Sequence, residues 1–545
     1  MMTNDPKAKQ IIREYERMRG ERSTYETTWR DIRQYVRPNV VDFNAKTSPG
    51  DIRTERMYDG SAMQANTDLA GDIWSELFSP VERTFGIGVA GDVELNRDPE
   101  VIEWAEYVAD TIYASYGDER SQLTSSGHEL IQDVTAFGNG VMSQEWDSDE
   151  GQIIFRTMPL ASCFFANNKN GAVDKLFRCE EMTLRQILQR WPDAMWEGLD
   201  KAKETEQDKK YEVIHAVQPR ADKDRMYGRE DKMNMPFASC WVLKEKCVLL
   251  EEGGYRSFPY HTPRWNKIAD ETYGRGPGIN CLPGIRMLNR MKLTTLRAAQ
   301  KAVDPTIWLP TEGVRLPYKD FPGAVNHFDP SSFPSGQFDI KTIEHRGNFP
   351  VTLEMMEAER LEIRKAFYTD WLEWFPKVER QTAEEIRELS MRKLKKIAPV
   401  LGRIEVELRV PMIQRSYQLC QAAGLIPDAP AVLEGRALKV VYVSASARAQ
   451  AASEVNGLIG YMQQLIPAAQ IDPTVFDAVD VKKWANELAI KQRVSRRILR
   501  SDEEMEAIEQ QRAEKEQAMA MAGAAEPVSK ALLNVAKAQE AGGIV

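Results

Sequence analysis

The feature that most constrains the fold is a pair of long helices separated by a turn-rich segment. The first helix is predicted from about residue 283 to 303 and ends at Asp304-Pro305, because proline disfavours helical geometry in the residue before it. Residues 304–350 are rich in Pro and Gly, and a second helix is predicted over 351–374. The first helix would be about 30 Å long. A pair this narrow cannot form a domain core alone, so we expect it to pack against neighbouring copies in a closed ring.

The chain before this pair divides into two parts. Residues 6–137 show helical apolar stripes, and Asp59 is placed to cap a helix that starts near Ser61. From about 140 to 265 short segments rich in β-branched and aromatic residues alternate with turn residues. The strands predicted there are 152–157, 176–182, 211–217, 240–250 and 255–260. The sequence therefore predicts a mixed α/β fold that is mainly helical.

The chain after the pair is predicted to be mostly helical. Residues 375–381 form a loop, and Thr382 with Glu385 has the spacing of a capping box for the next helix. That helix, from Ala383 to about Ala423, is expected to kink at Pro399, Gly402 and Pro411. A strand is predicted at 437–443 and helices follow to about 520, with solvated helix fading into disorder at the end.

Composition excludes several classes of protein. With 545 residues, 42% hydrophobic and 28% charged, the chain fits a multidomain globular subunit. No uncharged apolar run is long enough to cross a bilayer and the N-terminus has no secretion signal, so no membrane association is expected. The six cysteines are scattered, so we expect reduced thiols and no metal or other cofactor. Because the net charge is −10, we expect that any DNA this protein contacts is passed rather than held.

No catalytic motif is present. The chain has no G-x-x-x-x-G-K-[ST], no H-E-x-x-H and no G-x-S-x-G. The glycine run at 274–278 lacks the lysine and hydroxyl of a phosphate-binding loop and is interpreted as a structural turn. The five histidines are isolated from one another and are interpreted as ordinary core or surface residues. We therefore expect a protein that is not an enzyme.

A basic stripe lies on the first long helix. Its four members share one face within an arc of about 60°; they are Arg286, Arg290, Arg297 and Lys301. Repeated around a ring, such a stripe would present positive annuli to DNA phosphates. The alternative is pairing with the acidic residues of the second long helix, Glu354, Glu357, Glu359 and Glu362.

Several short segments stand out along about residues 20 to 445. They are Arg56-Met57-Tyr58-Asp59-Gly60-Ser61, Leu77-Phe78-Ser79-Pro80, Val213-Ile214-His215-Ala216-Val217, residues 260–265 (YHTPRW), Tyr273-Gly274-Arg275-Gly276-Pro277, Thr382-Ala383-Glu384-Glu385-Ile386-Arg387 and residues 405–411 (EVELRVP). None is diagnostic alone, but in this collinear order they resemble the head-to-tail connector family of short-tailed phages.

The resemblance implies the phage portal fold in a dodecameric ring. The implied division is a wing (1–282), a stem of two helices (283–303 and 351–374), a clip (304–350), a channel loop (375–381), a kinked wing helix and strand (382–446), crown helices (447–505) and a tail (506–545). The channel loop offers Lys377, Glu379, Arg380 and Gln381 at the constriction, or is an ordinary surface turn. In the clip, Trp308 is either a docking residue or packs inside the clip or between adjacent clips.

The partners implied by the resemblance are those of a portal. They are double-stranded DNA in transit, the large subunit of terminase, a tail adaptor, and the major capsid and scaffolding proteins. The location implied is the portal vertex of the virion, and the host cytoplasm during assembly. Two alternatives remain open: another ring-forming virion component such as a tail adaptor, or a nucleic-acid translocase without a recognisable nucleotide site.

Overall fold

The computed structural model describes most of the chain in two compact units, Met1–Ser444 and Ala445–Val545. The described residues are 5–43, 54–78, 85–89, 95, 98–197, 199–205, 207–226, 229, 231–303, 307–308, 341–342, 349–369, 396–433, 438–442, 454–455, 457–467, 479–492 and positions 505, 508, 510–512 and 514–515. The fold is mixed α/β and mainly helical, as predicted.

Four helices build the first part of the larger unit. They are α1 (Pro6–Tyr35), α2 (Ser61–Leu77), α3 (Pro99–Gly117) and α4 (Leu123–Phe137). The apolar stripes of α2, α3 and α4 meet in one core. Asp59 accepts a hydrogen bond from the Ser61 N–H at 3.0 Å, as its predicted position before the helix suggests, but the N-cap residue of α2 is Gly60.

A five-stranded antiparallel sheet follows, in the order β4-β5-β6-β7-β8. Its strands are β4 (Cys163–Asn167), β5 (Val173–Thr183), β6 (Lys210–Pro219), β7 (Phe237–Leu243) and β8 (Val248–Tyr255), with helices α5 (Leu184–Arg190) and α6 (Leu199–Thr205) inserted. The single strand predicted at 240–250 is wrong: these residues contain the turn of the β7–β8 hairpin, where Cys247 has a φ of 51°. The turn escaped prediction because Lys244-Glu245-Lys246 carries no glycine or proline.

The sheet is covered on both faces because side chains alternate along each strand. Side chains of α1 pack on one face against Phe177, Ile214 and Val242. Trp191 and its neighbours in α5 and α6 pack on the other face. Buried Arg22 of α1 lies 3.7 Å above the Phe164 ring and donates to the carbonyls of Leu160, Ala161 and Cys163.

Two smaller sheets complete the larger unit. One has the order β3-β2-β9, formed by β2 (Met142–Asp147), β3 (Gln152–Thr157) and β9 (Tyr260–His261). The other pairs β1 (Phe85–Val89) with β12 (Leu438–Tyr442). The strand predicted at 437–443 is thus confirmed, whereas the interpretation of residues 6–137 as helices alone is wrong at β1. The Phe85-Gly86-Ile87-Gly88-Val89 segment is extended because its partner comes from more than 300 residues away, which local periodicity cannot reveal.

The two long helices are present. Residues Pro277–Asn280 form the short α7, and α8 runs over Leu282–Val303 as predicted. The second helix, α9, spans Phe349–Ala366 and not 351–374. It ends early because Tyr368 adopts a φ of 56°, while the Tyr368 and Thr369 N–H groups donate to the carbonyls of Lys365 and Arg364. This is the helix-ending hydrogen-bond pattern that usually contains glycine, formed here by a tyrosine that no sequence rule would select.

A π-helical turn interrupts the helix that follows. Helix α10 (396–404) continues into the π turn Glu405–Arg409 and then into α11 (Val410–Ala422). Pro411 has no N–H and its ring would clash with the carbonyl four residues earlier. The Val410 N–H donates instead to the Glu405 carbonyl, five residues back. At Pro411, where a kink is expected, the helix thus continues through a wider, π-helical turn. The smaller unit contains α12 (457–467) and α13 (Val481–Gln492).

Candidate stem and channel residues

The α8–α9 pair is anchored to the larger unit at one end only. Leu282, Ile285 and Leu288 are buried in the first half of α8, while every residue from 299 to 303 is exposed. Met356 and Ile363 of α9, and Phe367 just after its end, face the core. The backbones of β10 (Ile307–Trp308) and β11 (Lys341–Thr342) pair antiparallel just beyond the two helices. The pair thus projects from the unit as a helical hairpin.

A polar node fixes the hairpin to the start of α2. The Asn289 side-chain oxygen accepts hydrogen bonds from the Tyr58 and Asp59 N–H groups at 2.9 and 3.1 Å. The Asp59 carboxylate in turn accepts from the Arg360 guanidinium, at 2.8 and 3.1 Å. One short segment therefore holds α8 through Asn289 and α9 through Arg360. Sequence reasoning gave Asp59 only the role of a cap, because its partner lies about 300 residues away.

The node has a charge that titrates. Burial alone would raise the pKa of Asp59, but the hydrogen bonds from Ser61 and Arg360 outweigh burial and lower the pKa below its ordinary value. A carboxyl whose pKa is lower in the folded than in the unfolded chain stabilises the fold at pH values above its pKa in the unfolded chain. That contribution is lost as the pH falls through the folded pKa.

We expect Asp59→Asn to weaken the attachment of the hairpin. The amide can still cap α2, but the charge-assisted bonds to Arg360 are lost, at a cost of about 2 kcal/mol in the free energy of unfolding. Thermal melts of parent and variant from pH 7 to pH 3 measure this cost. The difference in Tm should be constant near neutrality and shrink below about pH 4. Asp149→Asn, at an exposed position, is the control. An equal effect at Asp149, or a difference at pH 3 as large as that at pH 7, would contradict the assignment.

The structure divides the basic stripe. Arg286 pairs with Asp31 of α1. Arg290, Arg297 and Lys301 are exposed, and their side chains make no ion pair with any residue that the structure describes. On α9, Glu357 bonds Arg360 and Glu362 bonds Lys365 at 2.9 Å. Pairing of the stripe with Glu354, Glu357, Glu359 and Glu362 of the same chain is therefore not observed among the described residues. Arg286 does form an ion pair, but with Asp31, a partner that the sequence did not predict.

The structure describes the other candidate residues only in part. Trp308 lies in β10, where its backbone pairs with Lys341, and its side chain is outside the described residues. The channel-loop candidates also lie outside them, namely Lys377, Glu379, Arg380 and Gln381. So do the predicted capping box and most of residues 304–350. Their roles stay predictions.

A second buried node holds the helix that follows the predicted channel loop. Arg264 is 1% exposed and bonds both carboxylate oxygens of Glu407 in the π turn, the closer at 2.6 Å. Its remaining donors reach the Asn167 side chain and the carbonyls of Gly171 and Thr272. Residues 260–265 and 405–411, quoted above for a family resemblance, are thus joined through Arg264 and Glu407. Sequence reasoning did not foresee this contact, because the π turn that directs Glu407 has no sequence signature.

The glycine run is a packing device. The Gly274 N–H donates to the Asn139 side-chain oxygen at 2.7 Å, and the Arg275 N–H donates to the Asn266 carbonyl at the same distance. A Cβ on Gly276 would lie 2.5 Å from the Thr135 carbonyl oxygen. Because these amides already have protein acceptors and the glycines contact the end of α4, the interpretation as a structural turn is confirmed.

The described residues contain neither a cluster of His, Cys, Asp and Glu suited to a metal nor a helix that could span a membrane. The six cysteines are free. Buried His215 stacks on Trp241, and its two ring nitrogens hydrogen-bond Tyr260 and Ser239 at 2.8 and 2.9 Å. Burial holds the pKa of His215 well below its ordinary value. A neutral histidine with both nitrogens bonded is a core residue, as interpreted.

Comparisons with known proteins converge on one type of virion component. The family model described as "Bacteriophage head to tail connecting protein" matches residues 8–499. The chain is 25% identical over 544 residues to the "Portal protein" of Salmonella phage epsilon15, covering 96% of this chain and 94% of that protein. It is also 25% identical over 538 residues to the "Probable portal protein" of Bordetella phage BPP-1, covering 95% and 93%.

Proposed function

This chain belongs to the family of bacteriophage head to tail connecting proteins, and from that premise we propose that it is a portal subunit. The observation that carries the proposal is the extent of the similarity, which covers more than nine tenths of this chain and of two proteins named as portals. A portal subunit is a component of the virion at the junction of head and tail. We propose that its role is structural: it binds other molecules through its surfaces and catalyses no reaction.

We propose further that twelve copies form a ring through which double-stranded DNA enters and leaves the capsid. The helical hairpin supports this proposal, because α8 has no buried residue beyond Asn289 and offers a long surface to a neighbour. In this arrangement residues 283–303 and α9 from residue 351 onward form the stem. Residues 304–350 form the clip that docks first the terminase large subunit and later the tail adaptor. The wing, residues 1–282, contacts the capsid and scaffolding proteins.

The loop 375–381 is proposed as the constriction of the channel. It follows the helix α9, and it carries two cations and one carboxylate beside a stiff proline. Its cations can touch passing phosphates, while the net charge of −10 disfavours lasting phosphate contacts. In this proposal the loop narrows the channel and so holds back packaged DNA, and it does not drive DNA movement. This role, and not catalysis, is the one proposed for Lys377, Glu379, Arg380 and Gln381.

Deletion of residues 377–381 is the test. We expect rings of normal size in negative-stain images and normal packaging, because a five-residue loop buries little area. The heads are expected to lose DNA afterwards, so the DNA content per head should fall over hours in the variant and stay constant in the parent.

The matched control removes the last five residues of the sequence, 541–545, and heads built from it should retain DNA. Equal retention in both deletions, with normal rings, would refute the constriction. Absence of rings from the unaltered chain, over a range of protein and salt concentrations, would refute the portal assembly itself.

A further inference from the structure

One face of α8 carries positive charge that nothing in the described chain balances. Arg290, Arg297 and Lys301 lie on this face, are exposed, and have no ion-pair partner among the described residues. The fourth cation of the stripe, Arg286, already bonds Asp31. Helix α8 contains no acidic residue. Like charges spaced three or four residues apart repel one another on a helix, so a partner of opposite charge would stabilise this face.

The exposed face of α9 has the complementary character. Glu354, Glu357 and Leu361 follow one another at spacings of three and four residues and so share one side of the helix. Glu354 has no ion-pair partner among the described residues, and the Glu357 side chain remains 66% exposed beside Arg360. Leu361 is an exposed apolar residue on this face, and Met287 is another next to the basic stripe. Each of the two faces thus carries charged side chains together with an exposed apolar side chain.

We propose that the basic face of α8 in one copy packs against the Glu354–Glu357–Leu361 face of α9 in the adjacent copy. The contact rests on the proposed function, since it requires a ring. The two faces differ, so the contact is head to tail, the type that generates a closed ring when the rotation between copies closes. The pairing is between copies, because the same residues do not meet within one chain.

The alternative occupant of the basic face is the DNA in the channel. Each lysine or arginine that contacts a phosphate adds affinity, and the total rises steeply with the number of contacts. Three unpaired cations per subunit, repeated around a ring, would hold DNA that a conduit must release. Pairing with Glu354 and Glu357 of a neighbour removes most of that positive potential. Charge balance and free passage of DNA therefore both favour the contact between copies.

Charge reversal on the full-length chain tests the contact. The basic-face variant combines Arg290→Glu with Arg297→Glu, and the acidic-face variant is Glu354→Lys. We expect the basic-face variant to lower the fraction of chain in rings at least tenfold in native mass spectrometry and analytical ultracentrifugation. Adding Glu354→Lys to it should recover that fraction at least threefold, because the reversed charges meet again. Arg185→Glu, a reversal at an exposed position on α5, should leave the fraction unchanged.

The outcomes separate the possibilities. If the basic-face variant assembles normally but its heads retain or release DNA differently, the face lines the channel and the proposed contact is wrong. If the combined variant shows no recovery while its circular dichroism and Tm match the parent, these faces do not meet. Should a reversal disturb folding, Arg290→Gln with Arg297→Gln removes the charge and is expected to weaken ring formation in the same direction. A parent chain that forms no rings refutes the portal assembly, before any variant is compared.

Discussion

Gly276→Ala is expected to prevent accumulation of the folded chain. The added Cβ would lie 2.5 Å from the Thr135 carbonyl oxygen and 2.9 Å from both the Val134 carbonyl oxygen and the Gly138 nitrogen. All three are backbone atoms at the end of α4, so no side chain can rotate to relieve the overlap. The helix end or α7 must move instead. Overpacking typically costs about 1 to 3 kcal/mol and occasionally more. Because only backbone can move here, we expect a cost at the upper end, which is a large share of the stability of a typical domain.

The same substitution at Gly402 is the matched control. Gly402 lies exposed in α10, where an added Cβ would meet no atom within 4 Å. Gly402→Ala is therefore expected to stabilise the chain by up to about 1 kcal/mol, because alanine is the better helix former. Soluble yield and Tm measure both variants. Equal behaviour of the two would contradict the close approach of Gly276 to α4.

Local patterns predicted the parts of the fold that depend on local physics. Helix α8 and strand β3 have the predicted bounds. The hydrophobic period indicates both elements, and the Asp304-Pro305 signal specifies the end of α8. Strand β1 was missed, because its reason for being extended is a partner near residue 440. The end of α9 was also missed, since a tyrosine with positive φ takes the place of the expected glycine. Tertiary contacts decided both cases, and a single sequence does not display them.

The same distinction applies to the candidate site. The sequence placed Arg286, Arg290, Arg297 and Lys301 on one face, and that placement needs only the helical period. It could not supply the Asp31 partner of Arg286. The Asp59–Arg360 and Arg264–Glu407 pairs join residues 301 and 143 positions apart. Collinear short motifs marked the segments around Asp59, Arg264 and Glu407 without revealing which of their residues meet.

Arg264→Met is expected to loosen the helix that follows the proposed channel loop. The guanidinium is fully buried and bonds Glu407, Asn167 and two backbone carbonyls at once. Removing it leaves the Glu407 carboxylate with the Arg264 backbone N–H but no positive charge. Loss of one partner of a buried ion pair costs about 3 to 5 kcal/mol. Arg264→Lys should recover only part of this, because an ammonium has three donors and cannot bond the carboxylate in a planar fork.

A double-mutant cycle isolates the pair. Glu407→Gln in the Arg264→Met background removes the unpaired charge, so the two substitutions together should destabilise less than the sum of the single effects. As a surface comparison, Arg17→Ala breaks an exposed pair with Glu21 and is expected to change the unfolding free energy by less than about 1 kcal/mol. Additive effects in the cycle would mean that Arg264 acts only through its other acceptors, the Asn167 side chain and the two backbone carbonyls. If the pair is coupled as expected, Arg264→Met should also speed hydrogen exchange in the π turn, because no guanidinium then holds the Glu407 carboxylate in place.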